Sequence, residues 1–142
     1  MPKNDHISSD GIAFLQETHV AHFVTLMPDG MPQLTIVWVD VEPDGSHVLI
    51  NTVEGHLKLK NVDRDPRVAV SVIDERNVAK FVIVRGRVIE RRTEGADKHI
   101  DFLAKKYTGA EKYTPYGRTT EERVILRIKP DHVLERGVAK PV

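Results

Sequence analysis

The 142-residue chain contains no cysteine. Disulfides, thiolate nucleophiles and zinc–thiolate centres are therefore excluded, and the composition is compatible with a cytosol. Aromatic residues make up only 6% of the chain, with a single tryptophan, Trp38. No dense Lys/Arg cluster with interleaved aromatics occurs, which argues against nucleic acid as a partner. No apolar run approaches the ~20 residues that a membrane helix needs. The N-terminal stretch "MPKNDHISSDG" is polar and carries no apolar signal segment, so we expect a cytoplasmic protein that does not engage the membrane. Formal net charge is zero.

What is present suits one globular domain over residues 1–142. Apolar residues make up 40% of the chain, and a chain of this length buries roughly 70% of its unfolded surface on folding. The zero net charge hides an asymmetry. Residues 1–55 hold one basic residue, Lys3, against eight acids, whereas residues 56–142 hold twenty basic against thirteen acidic. A basic second half suits an acidic or phosphate-bearing small molecule. Chance segregation accounts for the asymmetry equally well.

Ser8 and Ser9 can cap a short helix running to about Thr18. Residues 19–27 and 32–41 read as strands joined by the turn signal "PDG", and residues 47–53 as a third strand after "EPDG". These three are expected to form a meander. One or two helical turns follow over 56–64, then a strand over 67–74 and a long strand over 79–92, in which Gly86 marks a bulge or bend. Residues 93–109 carry Ile100, Leu103, Ala104 and Tyr107 at helical spacing and end on a C-cap glycine, Gly109. A polar loop over 110–123 leads to a last strand over 124–136. Six turn-linked strands are expected to run antiparallel and to close into a small barrel that leaves no long edge exposed. The long fifth strand is expected to serve a two-fold partner.

The chemistry concentrates in "NTVEGHLKLKNVDRDPRVAV", residues 51–70. A helix starting near Gly55 points unpaired N–H groups at whatever precedes it. Asn51 and Thr52 offer hydrogen bonds at a strand end, and Lys58 and Lys60 add positive charge, which together describe a phosphate site. On an ideal helix the two lysines lie about 200° apart, so both reach one phosphate only if the segment is irregular or one side chain curls back. A lysine pair on a short surface helix also serves as a plain solvated face. Competing catalytic arrangements are missing. His19 and His22 fall on opposite faces of a strand, no H-x-x-x-H or G-x-S-x-G occurs, and carboxylates form no dense cluster in sequence. No metal site is expected. Trp38, inside an apolar alternation, reads more readily as core than as a stacking platform.

The order strand, turn, strand, "VLINT", "GHLKLKNVDRDPRVAVSV" resembles the pyridoxamine-phosphate-oxidase-like split-barrel flavoproteins over about residues 8–136. In that superfamily a basic pair follows the third strand and "xxDPR" leads into the fourth. Lys58, Lys60, Asn61-Val62 and Asp65-Pro66-Arg67 occupy those places, and "DGMPQLTIVWVD" is similar to the family's second strand. The resemblance implies a mainly β (α+β) fold, a six-stranded antiparallel split β-barrel of the FMN-binding type with two or three short helices. It also implies a homodimer with cofactor sites at the subunit interface. Within the superfamily the chain resembles the deazaflavin-dependent branch that uses coenzyme F-420. Its ending, "RGVAKPV", lacks the Arg/Trp-rich clamp of the pyridoxine-phosphate oxidases proper. FMN remains the alternative cofactor.

By that resemblance Lys58 and Lys60 hold the cofactor phosphate, with Asn51, Thr52 and Asn61 as hydrogen-bond partners and His56 as a further donor. Gln33, Thr35 and Val37 line the ring system. Lys80 and Phe81, in the fifth strand of the second subunit, form the opposite wall. Arg118 is assigned to an acidic tail on charge alone. The spread of cations over residues 56–142 suits the long polyanion of F-420 better than the compact phosphate of FMN. The implied reaction is hydride transfer between the deazaflavin and an unidentified small organic acceptor. Because the cofactor carries the chemistry, no dedicated catalytic residue is expected. A non-catalytic flavin-, F-420- or haem-binding module is the other reading.

Overall fold

The computed structural model describes residues 4–114 and 122–139. The first helix, α1 (Ser9–Gln16), starts where Ser8 accepts a hydrogen bond from the Gly11 amide at 3.0 Å, and it buries Phe14 and Leu15. The hairpin that follows joins β1 (Ala21–Leu26) to β2 (Pro32–Val37) through a turn with Gly30 at φ 86°. Ala21, Phe23 and Thr25 alternate inward and are fully buried, as period-two patterning requires.

Residues 32–41 do not form one strand. The chain leaves the sheet at Trp38 and Val39 and re-enters as β3 (Asp40–Val41), which pairs with β4 (Val48–Val53). Next come α2 (Leu57–Arg64), β5 (Arg67–Ile73), β6 (Phe81–Arg92), α3 (Ala96–Thr108) and β7 (Arg123–Arg136). The described residues thus make one seven-stranded antiparallel sheet in the order β2-β1-β5-β6-β7-β4-β3. The meander read from sequence is therefore replaced: β1 pairs with β2 and β5, and β4 pairs with β3 and β7.

This order forces the sheet to curl. β2 and β3 are its opposite edges, about 29 Å apart if six strand spacings were laid flat. Yet only Trp38 and Val39 separate them, and three residue steps span at most about 11 Å. The two edges must approach each other, which gives the half-barrel of a split-barrel fold. The fold class is as expected from sequence, with seven strands in place of six.

The crossover carries buried backbone that no strand satisfies, so other groups must. Val39, fully buried, donates its amide to Tyr107 Oη at 3.2 Å and accepts Lys106 Nζ at its carbonyl at 2.8 Å. Lys106 Nζ also donates to Leu15 O at 2.8 Å, and Tyr107 Oη donates to His19 O at 2.5 Å. Burial pulls Lys106 down to about 8 and pushes Tyr107 up to about 12. Two side chains of α3 thus pin the place where the sheet folds over.

The main core fills the concave side, with Phe23, Val70, Val82, Ile50 and Leu126 from the strands and Phe14, Leu15, Leu59 and Val62 from α1 and α2. α3 covers the other side of β4 and β7, where Leu49, Ala96 and Ile125 form a second cluster. Gly86 marks the expected bulge, a register shift between β6 and β7. A Cβ there would clash with the backbone carbonyl of Lys129. Gly109 closes α3 at φ 80°. Among the described residues no helix is long and apolar enough to cross a membrane.

Candidate functional site

A cleft of about 490 Å³ opens between the end of β4, the start of α2, the crossover and α3. Its floor is polar. Asn51 and Thr52 come from the last turns of β4, His56 and Lys58 from the mouth of α2, and Arg123 from the first residue of β7. The rest of the lining is apolar and aromatic, with Ile36, Val37 and Trp38 from β2 and the crossover and Ile100, Leu103 and Tyr113 from α3 and just after it.

Local sequence explains this placement. Gly55, at φ 91°, allows the tight step from β4 into α2. His56 is the N-cap but makes no side-chain cap bond to the helix amides. Amides at such an end attract anions. His56 Nδ1 lies 3.5 Å from both Thr52 Oγ1 and Lys58 Nζ. The antiparallel register of β4 and β7 brings Arg123 beside this corner. Its Nη1 donates to Asn51 Oδ1 at 3.3 Å, and its guanidinium lies 4.4 Å from the Tyr113 ring centroid.

A polar relay steadies the floor from behind. Asn51 Nδ2 donates to Ala96 O at 2.9 Å and lies 3.1 Å from His99 Nδ1. With that nitrogen accepting, His99 Nε2 donates to Asp40 Oδ2 at 2.9 Å. Trp38 stacks on Tyr107 at 5.3 Å and meets Tyr113 edge-on at 6.1 Å. The aromatic wall is thus fixed by the same α3 residue that pins the crossover.

The electrostatics single out Lys58. Its pKa is lowered, first by burial and then by the neighbouring Arg123 cation. Among the described residues it forms no ion pair. A half-buried ammonium beside a second cation is destabilised unless an anion joins it. A larger hollow, about 590 Å³, lies against β1, β5, β6 and β7 and holds Arg67, Arg85 and Arg87. Two of these arginines are already neutralised, Arg67 by Asp65 at 2.7 Å and Arg87 by Asp131 at 3.0 Å. The smaller cleft is therefore the stronger anion site.

The structure distributes the sequence-read residues unevenly. Asn51, Thr52, His56, Lys58 and Val37 meet at the cleft. Lys60 is exposed, because α2 is a regular two-turn helix and its two lysines point apart. Asn61 is fully buried, donating Nδ2 to Thr25 Oγ1 at 3.0 Å and tying α2 to β1. Gln33 and Thr35 share the face of Val37 but lie further along β2. Lys80 and Phe81 sit at the start of β6, where Lys80 borders a separate depression with Phe14 and Glu17. Arg118 lies outside the described residues. Sequence reading missed Arg123 and Tyr113 and placed Trp38 in the core. Only the β4–β7 pairing brings residue 123 to residue 51.

The chain matches the family model described as pyridoxamine 5'-phosphate oxidase over residues 12–137. It is 28% identical over 129 residues to an F-420H2-dependent biliverdin reductase of Mycobacterium tuberculosis (strain CDC 1551 / Oshkosh), covering 90% of this chain and 87% of that protein. The solved structure of an F-420 reductase superposes with a TM-score of 0.74 at 26% identity, over 86% of this chain and 94% of that one. HutZ, the haem storage protein of Vibrio cholerae, superposes with a TM-score of 0.63 at 14% identity, over 93% and 96% of the two chains, a likeness of fold alone.

Proposed function

Because this chain belongs to the pyridoxamine 5'-phosphate oxidase family, we propose that it is an F-420-dependent reductase whose cleft holds the cofactor through its phosphate. The observation that carries this reading is Lys58, a half-buried cation with no ion pair among the described residues, set against an uncapped helix start. The similarity to F-420-dependent relatives supports the choice of cofactor.

The residues present fit such a group. The start of α2, Lys58 and Arg123 offer backbone and cationic donors to a phosphate, and Thr52 and His56 offer further hydrogen bonds. Ile36, Val37 and Trp38 give a flat apolar wall for a ring system. When bound, the reduced deazaflavin supplies a hydride. The protein's part is to hold the anionic end, orient the ring and exclude water. No side chain of the cleft is assigned as acid or base.

We read the cleft as completed by a second copy. Met31, Leu34 and Ile36 are 62%, 55% and 58% exposed in the single chain, an apolar strip next to the cleft. In that homodimer we propose Lys80 and Phe81 of the partner subunit as the opposite wall.

FMN is the second reading. Only one lysine of the pair faces the cleft, and one lysine, one arginine and a helix start suit a compact phosphate dianion as well. Titration of the protein with F-420 and with FMN, read by Trp38 fluorescence, separates the two. Saturable quenching by F-420 at much lower concentration than by FMN supports the proposal. Tighter FMN binding, or no quenching by either, rejects it. If F-420 binds but no candidate acceptor reoxidises the reduced form, the protein is a carrier rather than a reductase.

A further inference from the structure

Outside the cleft, the β5–β6 turn brings two carboxylates to the start of β1. One ring nitrogen of His19 and one carboxylate oxygen from each of Asp74 and Glu75 lie within 4.8 Å of one another. A second observation is independent of that cluster. The His19 side chain is only 10% exposed, and its Nδ1 is buried with no hydrogen-bond partner. From these we propose a binding site for a divalent transition-metal ion of the zinc class at His19, Asp74 and Glu75.

The orphaned nitrogen is the core of the argument. Glu17 Oε1 lies 3.2 Å from His19 Nε2. With Nε2–H donating to that carboxylate, Nδ1 of the neutral ring carries the lone pair. That lone pair has no hydrogen-bond partner, and Asp74 and Glu75 bring acceptor oxygens to the same ring. A cation satisfies all three at once. A metal-bound histidine usually donates its other ring N–H to a carboxylate, as His19 Nε2 is placed to do with Glu17. Ligands at about 2.0–2.2 Å from one zinc ion lie about 3–4 Å from each other. The three ligand atoms, within 4.8 Å of one another, would close to that spacing on binding.

The histidine is already in place. Its ring stacks on Phe14 at 4.3 Å, and its carbonyl accepts the Tyr107 hydroxyl. Glu75 Oε1 accepts the Val20 amide at 3.3 Å, and Asp74 Oδ1 accepts the Arg76 amide at 2.8 Å. Both acids thus keep a second oxygen for a ligand. Imidazole favours zinc, nickel or cobalt over magnesium and calcium, and three protein ligands leave a coordination position for water. Occupied, the site would clip the β5–β6 turn to β1 behind the aromatic wall of the cleft.

The test is calorimetric titration of the EDTA-stripped full chain with zinc chloride, repeated with cobalt(II) read by visible absorption. We expect one ion per chain, with affinity lowered at least ten-fold in His19→Gln and in the double variant Asp74→Asn/Glu75→Gln. His132→Gln, an exposed histidine on β7, should bind as the unaltered protein does. Zinc should raise the melting temperature of the unaltered protein and not that of the double variant. Should His19→Gln fail to fold, the double variant, altered only at the turn, decides alone. Absence of stoichiometric binding, or undiminished binding in the double variant, overturns the proposal.

Discussion

Lys58→Met separates what Lys58 does for a ligand from what it does for the empty protein. Methionine keeps the length and apolar stem of lysine but removes the charge. In the empty protein that charge is unfavourable, since burial and the neighbouring Arg123 both lower its pKa. Removing it should leave the melting temperature unchanged or raise it. With the anionic ligand bound, the same charge makes a charge-assisted contact worth about 1.5–3 kcal/mol. F-420 affinity should then fall about 10- to 150-fold. The assay pairs thermal unfolding of the empty protein with Trp38 fluorescence titration of the cofactor. A Met variant that melts lower and still binds with native affinity refutes the reasoning on both counts, since Lys58 would then be a structural cation.

Tyr107→Phe removes the hydroxyl that bonds Val39 N and His19 O, and should cost about 1–3 kcal/mol in urea unfolding, because buried backbone loses its partner. Asp65 is held at about 2, mainly by the Arg67 side chain that hydrogen-bonds to it. A carboxylate lowered in the folded state adds stability above its ordinary value of 3.8 that is lost as pH falls towards about 2. Asp65→Asn should flatten the acid limb of a stability–pH curve in that window, and an unchanged limb would remove the pair from the explanation. Ile36→Glu places a charge in the exposed apolar strip and should convert a dimer to monomer in sedimentation experiments, with cofactor affinity falling in parallel.

Most strands were legible in the sequence because each buries one face and turns at glycine. "HFVTL", "RVAVSVI" and the bulged "FVIVRGRVIERR" all keep their pattern in the structure. The break at Trp38-Val39 was not legible. Apolar alternation runs through it, and nothing in the local pattern tells that Val39 is satisfied by Lys106 and Tyr107, nearly 70 residues on. The missed break also misplaced the third strand, because it hid the step from one sheet edge to the other.

The site divides in the same way. Asn51, Thr52, His56 and Lys58 fall within eight residues of one another, and a glycine before a short helix marks that stretch as a candidate anion site; all four line the cleft. The family resemblance groups Lys60 with Lys58, and the regular helix separates them. Arg123 enters only through cross-strand pairing, which leaves no local trace. The carboxylates beside His19 leave no local trace either, because Asp74 and Glu75 sit in a turn 55 residues further on.

The central claim is that the uncapped start of α2, Lys58 and Arg123 form the seat for the phosphate of a deazaflavin. A crystal structure of the protein with F-420 tests it most directly. The predicted result is a phosphate oxygen within hydrogen-bond distance of Lys58 Nζ, with the ring against Trp38 and Val37. Electron density placing the phosphate at Arg67, Arg85 and Arg87, with Lys58 reaching only water, would contradict it.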